Sequence, residues 1–347
     1  MTRDKVTIQD IADALGISRN TASKALNGNE SIPAETRNKV IKKAAELKYK
    51  QFAFVDTEGM IARTTGNIAL FTSNMPNSSH FGSLLLSGLE KKISSDGFNL
   101  SIHFVREPEI SQLLLPNNFE PSKVDGIICI EMFNKAYSDL IGSLGIPAIF
   151  IDASARIDFS ELQADVILME NDHSTHSVVK RLIRNGHKRI GFAGDYNHCL
   201  SFYERWAGYN RALLEAGLPA DPASCIVGED RFFNDGSTWI DDQLEAMEQL
   251  PSAFVCANDF IAVAVMRTLK GRNIRVPDEV AVVGFDNSPE SRIIEPPLTT
   301  VHIPNSDMGI ITAELLLSRI KNPSKPYQVA HVQTEPIYRE STGTLGE

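Results

Sequence analysis

Val6-Thr-Ile-Gln-Asp-Ile-Ala-Asp-Ala-Leu-Gly-Ile-Ser-Arg-Asn-Thr-Ala-Ser-Lys-Ala-Leu-Asn-Gly28 is the stretch on which the reading of this chain turns. Thr7 carries a side-chain oxygen able to cap a helix, and Ile8, Ile11, Ala12 and Leu15 recur at helical spacing. Gly16 accepts the left-handed backbone that ends such a helix. Ser18 then caps a second helix over 19–26, with Ala22, Ala25 and Leu26 facing inward. Arg19, Asn20, Ser23 and Lys24 are left on its outer side, hydrogen-bonding groups suited to base edges in a DNA major groove. Pro33 opens a third helix with Val40, Ile41, Ala44, Ala45 and Leu47 on one face and Lys39, Lys42, Lys43 and Lys48 elsewhere. A small helical hairpin with a solvated basic face is the blander reading. The order of cap, helix, glycine, cap and helix, joined to base-reading side chains, favours a helix-turn-helix that reads double-stranded DNA.

Charge is distributed to match. The whole chain is acidic, at −10. Residues 1–50, however, hold ten Lys/Arg against six Asp/Glu, a net of +4. Residues 51–347 hold 24 against 38, a net of −14. A basic head on an acidic body implies that only the head meets phosphate.

At 347 residues the chain expects two or three domains, and 42% hydrophobic residues suffice for their cores. No apolar run reaches the length of a membrane span, and no apolar leader precedes the first helix, so the expected location is the cytoplasm. Cys129, Cys199, Cys225 and Cys256 are widely spaced and read as reduced thiols.

Beyond residue 66 the periodicity changes. Strand-like apolar runs at 67–72, 100–105, 126–130 and 148–151 accompany a helix near 81–96. A second series has strands at 166–168, 189–193, 224–227, 253–256 and 280–284. Its helices fall at 174–185, 203–216, 236–249 and 260–270. This alternation implies parallel sheets flanked by helices, here two doubly wound lobes with a ligand cleft beyond the strands' carboxyl ends. The expected division is a DNA-binding domain over 1–50, a linker over 51–66 and an α/β effector-binding body over 67–347. Within the body, lobe 1 is expected at about 67–164 and 296–325, and lobe 2 at about 165–295 and 326–347.

Catalytic signals are lacking. The chain has no phosphate loop, nucleophile elbow or zinc-protease motif, so neither an enzyme nor a cofactor is expected. His173 and His176 lie one turn apart but lack a third placed ligand, and a metal site is not expected there. Lys180, Arg181, Arg184, Lys188 and Arg189 read as a solvated helix end rather than a second DNA patch.

Many segments in order resemble the lactose/galactose-repressor (LacI/GalR) family of transcriptional regulators. They include Ala25-Leu-Asn-Gly28, Glu35-Thr-Arg37, Val124-Asp-Gly-Ile-Ile128 and Gly145-Ile-Pro147 leading to Asp152. Later come Asn185-Gly-His-Lys-Arg-Ile-Gly191, Glu204-Arg-Trp-Ala-Gly-Tyr209 and Cys256-Ala-Asn-Asp259. Val276-Pro-Asp-Glu-Val-Ala-Val-Val-Gly-Phe-Asp286, Pro297-Leu-Thr-Thr300 and Arg339-Glu-Ser-Thr342 complete the series. The resemblance implies a homodimer on a palindromic operator, with a body like a periplasmic sugar-binding protein that takes a small effector, a sugar by preference. A nucleobase or a partner protein as effector, and activation rather than repression, stay open. A transport protein has no use for residues 1–50.

By the same resemblance, Arg19 and Asn20 open the recognition helix and Lys24 follows one turn later, with Asn27 also on the DNA side. Thr7, Ser18, Thr21 and Ser23 are expected to position phosphates, although capping alone explains Thr7 and Ser18 equally well. For the effector the resemblance points to Arg205, Asp286, Asn258 and Asp152, with His80 and Phe81 from the first helix of lobe 1. Phe233, or its neighbours Phe232 and Trp239, is expected to supply an apolar face. The family's Pro-Asn hinge segment is missing from 50–66; Phe52 and Phe54 are expected to pack on the head, with Met60 and Ile61 left for a minor-groove wedge.

Overall fold

In the computed structural model, residues 6–26, 32–47, 49, 65–73, 80–229 and 237–343 are described. The chain divides into two units, 1–64 and 65–347.

Three helices build the first unit. Helix α1 (Ile8–Leu15) starts at a reciprocal cap: Thr7 N–H donates to Asp10 Oδ2 at 2.7 Å and Asp10 N–H returns to Thr7 Oγ1 at 3.4 Å. Gly16 ends it at φ +64°, the left-handed turn expected of a glycine there. Ser18 Oγ accepts from the Thr21 amide at 3.1 Å and so starts α2 (Arg19–Leu26). With α3 (Ala34–Glu46), these helices bury Ile11, Ala12, Ala22, Ala25, Val40 and Ala44. Alanines at four of those six positions let the helix axes approach closely. Tyr49, beyond α3, closes the same core, a contribution its isolated place in the sequence did not reveal.

The second unit alternates strands and helices. In order they are β1 (Asn67–Thr72), α4 (His80–Ser95), β2 (Asn99–Phe104), α5 (Glu107–Gln112), β3 (Gly126–Ile130), α6 (Lys135–Gly142) and β4 (Ala148–Ile151). There follow β5 (Asp165–Met169), α7 (Asp172–Arg184), β6 (Ile190–Ala193), α8 (Leu200–Glu215) and α9 (Ser237–Ala246). Next are β7 (Ala253–Cys256), α10 (Asp259–Gly271), β8 (Ala281–Val283), α11 (Glu290–Ile293) and β9 (Thr300–His302). The series ends with α12 (Asn305–Lys321), β10 (Val329–Val332) and β11 (Glu335–Ile337).

A six-stranded parallel sheet has the order β10-β5-β4-β3-β1-β2, and a three-stranded parallel sheet the order β6-β7-β8. Strands β3, β4, β5, β6 and β7 are buried along their whole length, as strands covered on both faces must be. The run expected as a strand at 224–227 contributes one bridge, Ile226 to Ala193.

Pairing corrects three expected lobe boundaries. β5 continues the first sheet beside β4, because a strand with two apolar faces needs an interior place. β10 pairs with β5 at the sheet's edge and thus also belongs to lobe 1. Thr299 bridges Val283 and His302 bridges Asp286, so the chain stays with lobe 2 until about residue 302. The backbone therefore passes between lobes at 169–172, 302–305 and 332–335.

Lobe 1 is locked by α4 against α12. A Cβ on Gly88 would sit 2.0 Å from the Ser306 carbonyl oxygen, and one on Gly309 would sit 2.3 Å from that of Leu85. Two glycines, one per helix, permit this close backbone approach.

Candidate functional site

On the first unit, Arg19, Asn20 and Lys24 are exposed on α2, opposite the buried Ala22 and Ala25. Ser23 and Thr21 are half-buried. Thr7 and Ser18 both act as caps, and Ser18 Oγ also lies 2.8 Å from Thr21 Oγ1. Asn27, Phe52, Phe54, Met60 and Ile61 lie outside the described residues. The exposed set is two cationic side chains and one amide on a single short helix, a donor-rich face for phosphate and base edges.

In the second unit, polar side chains converge where β5, β7 and β8 end. Arg205, buried on α8, occupies the centre. Its Nε donates to Asn171 Oδ1 at 2.9 Å and one terminal nitrogen donates to the Ala257 carbonyl at 2.6 Å. The same nitrogen is 3.7 Å from Asp286 Oδ1, and the guanidinium carbon lies 3.7 Å from the centroid of the Phe285 ring. A flat cation is thus held on several sides by a carbonyl, an amide oxygen and an aromatic face.

Asp286 follows β8 at φ +114° and is half-buried. Burial pushes its carboxyl above the usual range; Arg205 opposes that shift and neighbouring Asp259 adds to it. Asp259, at the start of α10, is likewise pushed upward by burial. Thr300 Oγ1 donates to its Oδ1 at 2.6 Å, and the Ser288 amide to its Oδ2 at 2.7 Å. Carboxylate beside guanidinium offers a ligand an acceptor and a donor edge together, which suits adjacent hydroxyls or an amide-like edge.

The other expected residues divide. Asn258 stands at the same strand ends, but its Oδ1 accepts from the Ile261 amide at 2.9 Å and caps α10. Asp152, after β4 at φ +64°, is buried. Its Oδ1 accepts from the amides of Ala153 at 2.7 Å and Ser201 at 3.1 Å, fastening lobe 1 to the first turn of α8. Burial pushes its carboxyl upward too. His80 and Phe81 open α4, with side chains outside the described set; Phe233 and Phe232 also lie outside it. Trp239 packs at the margin of the core.

Residues not singled out from the sequence complete the site. Asn171 is buried between Arg205 and Glu204, and Phe285 lies under the guanidinium. The available signal was the polar triplet Glu170-Asn171-Asp172 directly after the apolar run 166–169 of β5. Phe133, after β3, meets His198, in the loop between β6 and α8, edge to face at 4.9 Å.

Elsewhere, His176 Nε2 lies 2.8 Å from Glu215 Oε2, and Arg181 stacks on Tyr338 at 3.7 Å. Arg189 bonds Ser224 and Gln249, and Lys180 lies 3.6 Å from Glu215. The four cysteines are free, and burial raises each thiol above its ordinary range. Among the described residues, no helix is long and apolar enough to cross a membrane.

Comparison with known proteins agrees with this anatomy. Residues 7–51 match the family model for bacterial regulatory proteins, lacI family, and residues 179–342 match a periplasmic binding protein-like domain. The chain is 30% identical over 342 residues to the HTH-type transcriptional repressor PurR of Vibrio parahaemolyticus, covering 98% of this chain and 99% of that one. It is 28% identical over 345 residues to the ribose operon repressor of Haemophilus influenzae, with the same coverage. Among solved structures, a complex of the transcriptional regulator CelR with cellobiose superposes with a TM-score of 0.71 at 26% identity, over 97% of this chain and 100% of that one. The lac repressor dimer bound to operator and an anti-inducer shares the fold, with a TM-score of 0.68 at 22% identity over 98% of this chain and 100% of that one. The chain belongs to the lacI family of bacterial regulatory proteins: it is a DNA-binding transcriptional regulator under effector control, not an enzyme.

Proposed function

We propose that this regulator is a repressor that binds a palindromic operator as a homodimer through α2, its affinity set by a small polar effector at Arg205 and Asp286. The observation that carries the effector reading is the buried guanidinium beside a half-buried carboxylate where two parallel sheets end. Arg19 and Asn20 suit guanine and adenine edges, with Lys24 one turn further along the recognition helix and Thr7, Ser18, Thr21 and Ser23 near phosphates. A sugar is the first reading for the effector: adjacent hydroxyls can give hydrogen bonds to Asp286 and take one from Arg205. The cellobiose bound by CelR and the name of the ribose operon repressor favour it. A purine base is the second reading, favoured by the 30% identity to PurR repressors and by the planar stacking of Arg205 on Phe285.

Effector closure of the two lobes is expected to alter how two heads meet their half-sites, so ligand and operator change each other's affinity by one common factor. The test combines thermal shift and operator selection on the full chain, with ribose, cellobiose, adenine, guanine and hypoxanthine. A true effector at about a hundredfold excess over its Kd adds about 2.7 kcal/mol of stability. It also changes affinity for the selected operator. Failure of every sugar and purine in both measurements overturns the effector reading; failure to select any operator overturns the repressor reading.

A further inference from the structure

Glu204 precedes Arg205 on α8, and its two carboxylate oxygens serve different parts of the molecule. Oε2 accepts from Asn171 Nδ2 at 2.8 Å, while Oε1 lies 3.3 Å from His331 Nε2 on β10. Asn171 is 1% exposed and has both amide hydrogens used: its Nδ2 also donates to the Met169 carbonyl at 2.8 Å, and its Oδ1 accepts from Arg205 Nε at 2.9 Å. An asparagine amide is almost symmetric to a half-turn about its terminal bond, so its neighbours decide which end faces which. An ionised carboxylate only accepts. With the Met169 carbonyl, it therefore holds the Asn171 nitrogen away from Arg205 and leaves the oxygen facing the Arg205 Nε–H. Without Glu204, one buried N–H loses its acceptor, and the amide, left with one of its two acceptors, is freer to swing away from Arg205.

The same contacts reach the crossings between lobes. Asn171 lies in the 169–172 crossing and His331 in the strand that enters the 332–335 crossing. A continuous chain of contacts runs from Asp286 through Arg205, Asn171 and Glu204 to His331.

We propose that Glu204 is a positioning residue for the effector site: it sets the Asn171 amide, which orients the Arg205 guanidinium, and it ties that orientation to β10 through His331. The proposal rests on Arg205 as the effector contact. Full-length wild type, Glu204→Leu and Glu204→Gln are compared by two measurements. The first is hydrogen exchange at the Arg205 Nε–H in ligand-free protein, followed by NMR of arginine-labelled samples. The second is calorimetric titration with ribose, cellobiose, adenine, guanine and hypoxanthine. Glutamine keeps an acceptor for Asn171 and retains wild-type exchange and affinity. Leucine speeds Nε–H exchange at least tenfold and weakens the bound probe about tenfold, with operator affinity in the absence of probe unchanged. Glu204→Ala replaces leucine if the leucine variant does not fold. Wild-type exchange in the leucine or alanine variant overturns the proposal, as does equal loss in the glutamine variant. If no probe binds wild type, the sugar-or-purine reading falls, while the exchange comparison still decides the role of Glu204.

Discussion

Asp286 holds its carboxyl in a half-buried place at a cost to folding. Burial raises its folded-state pKa above the unfolded value, so folding favours the protonated form. Its contribution to stability is full below the unfolded pKa and is lost as pH rises through the raised folded value. The proposed effector reading, in contrast, calls on the ionised acceptor beside Arg205. Asp286→Asn, which cannot ionise, is therefore expected to gain stability relative to wild type as pH rises from about 5 to about 8. The same substitution is expected to weaken the effector. Denaturant melts across that range provide the check; a stability difference that stays flat, or reverses sign, contradicts the assignment. Arg205 and Asp286 were legible because each lies in a segment with recognisable neighbours. Asn171 was not: its value comes from contacts with residues 33 or more positions away, which no local pattern encodes. Asp152 was legible as important, but the structure gives its oxygen to the amides that fasten α8.

Among elements, the pairing of α4 with α12 makes the sharpest demand on sequence. Gly309→Ala gains about 1 kcal/mol of helix propensity. It also forces a methyl group to within 2.3 Å of the Leu85 carbonyl oxygen. Overpacking of this kind costs about 1–3 kcal/mol. The expected outcome is a net loss of stability in urea, with operator affinity of the folded protein unchanged; a more stable variant means that the helices separate freely. Elements of this body were readable wherever apolar runs were continuous, as in β3, β4 and β7. β10 escaped detection because it alternates between exposed and half-buried positions at a sheet edge. β5 was seen as a strand but expected in lobe 2, since an apolar run reports burial and not which sheet provides it. In the head, the Thr7–Asp10 cap, Gly16 and the alanines of α2 were all local signals, and local signals suffice for a three-helix unit.

For the whole molecule, charge separates the two tasks. The first fifty residues carry +4 and the remainder −14. Operator affinity is expected to fall with salt at a log–log slope of about −0.9 per phosphate neutralised, so six contacts lose about a thousandfold between about 50 and 200 mM. The melting temperature is expected to change far less over that range. Filter binding and calorimetry on one preparation make the comparison; salt-independent operator binding rules out phosphate contact by the head. The three passages of the backbone between lobes have an evolutionary consequence. Residues 303–332 return to lobe 1 before the C-terminal segment rejoins lobe 2, so neither lobe is encoded by one uninterrupted stretch of gene. A single recombination break between about residues 172 and 332 divides both lobes at once, whereas a break near residue 64 transfers the head whole. Promoter choice can thus be exchanged between regulators in one step, while the sensing body is inherited entire or remodelled by point substitution.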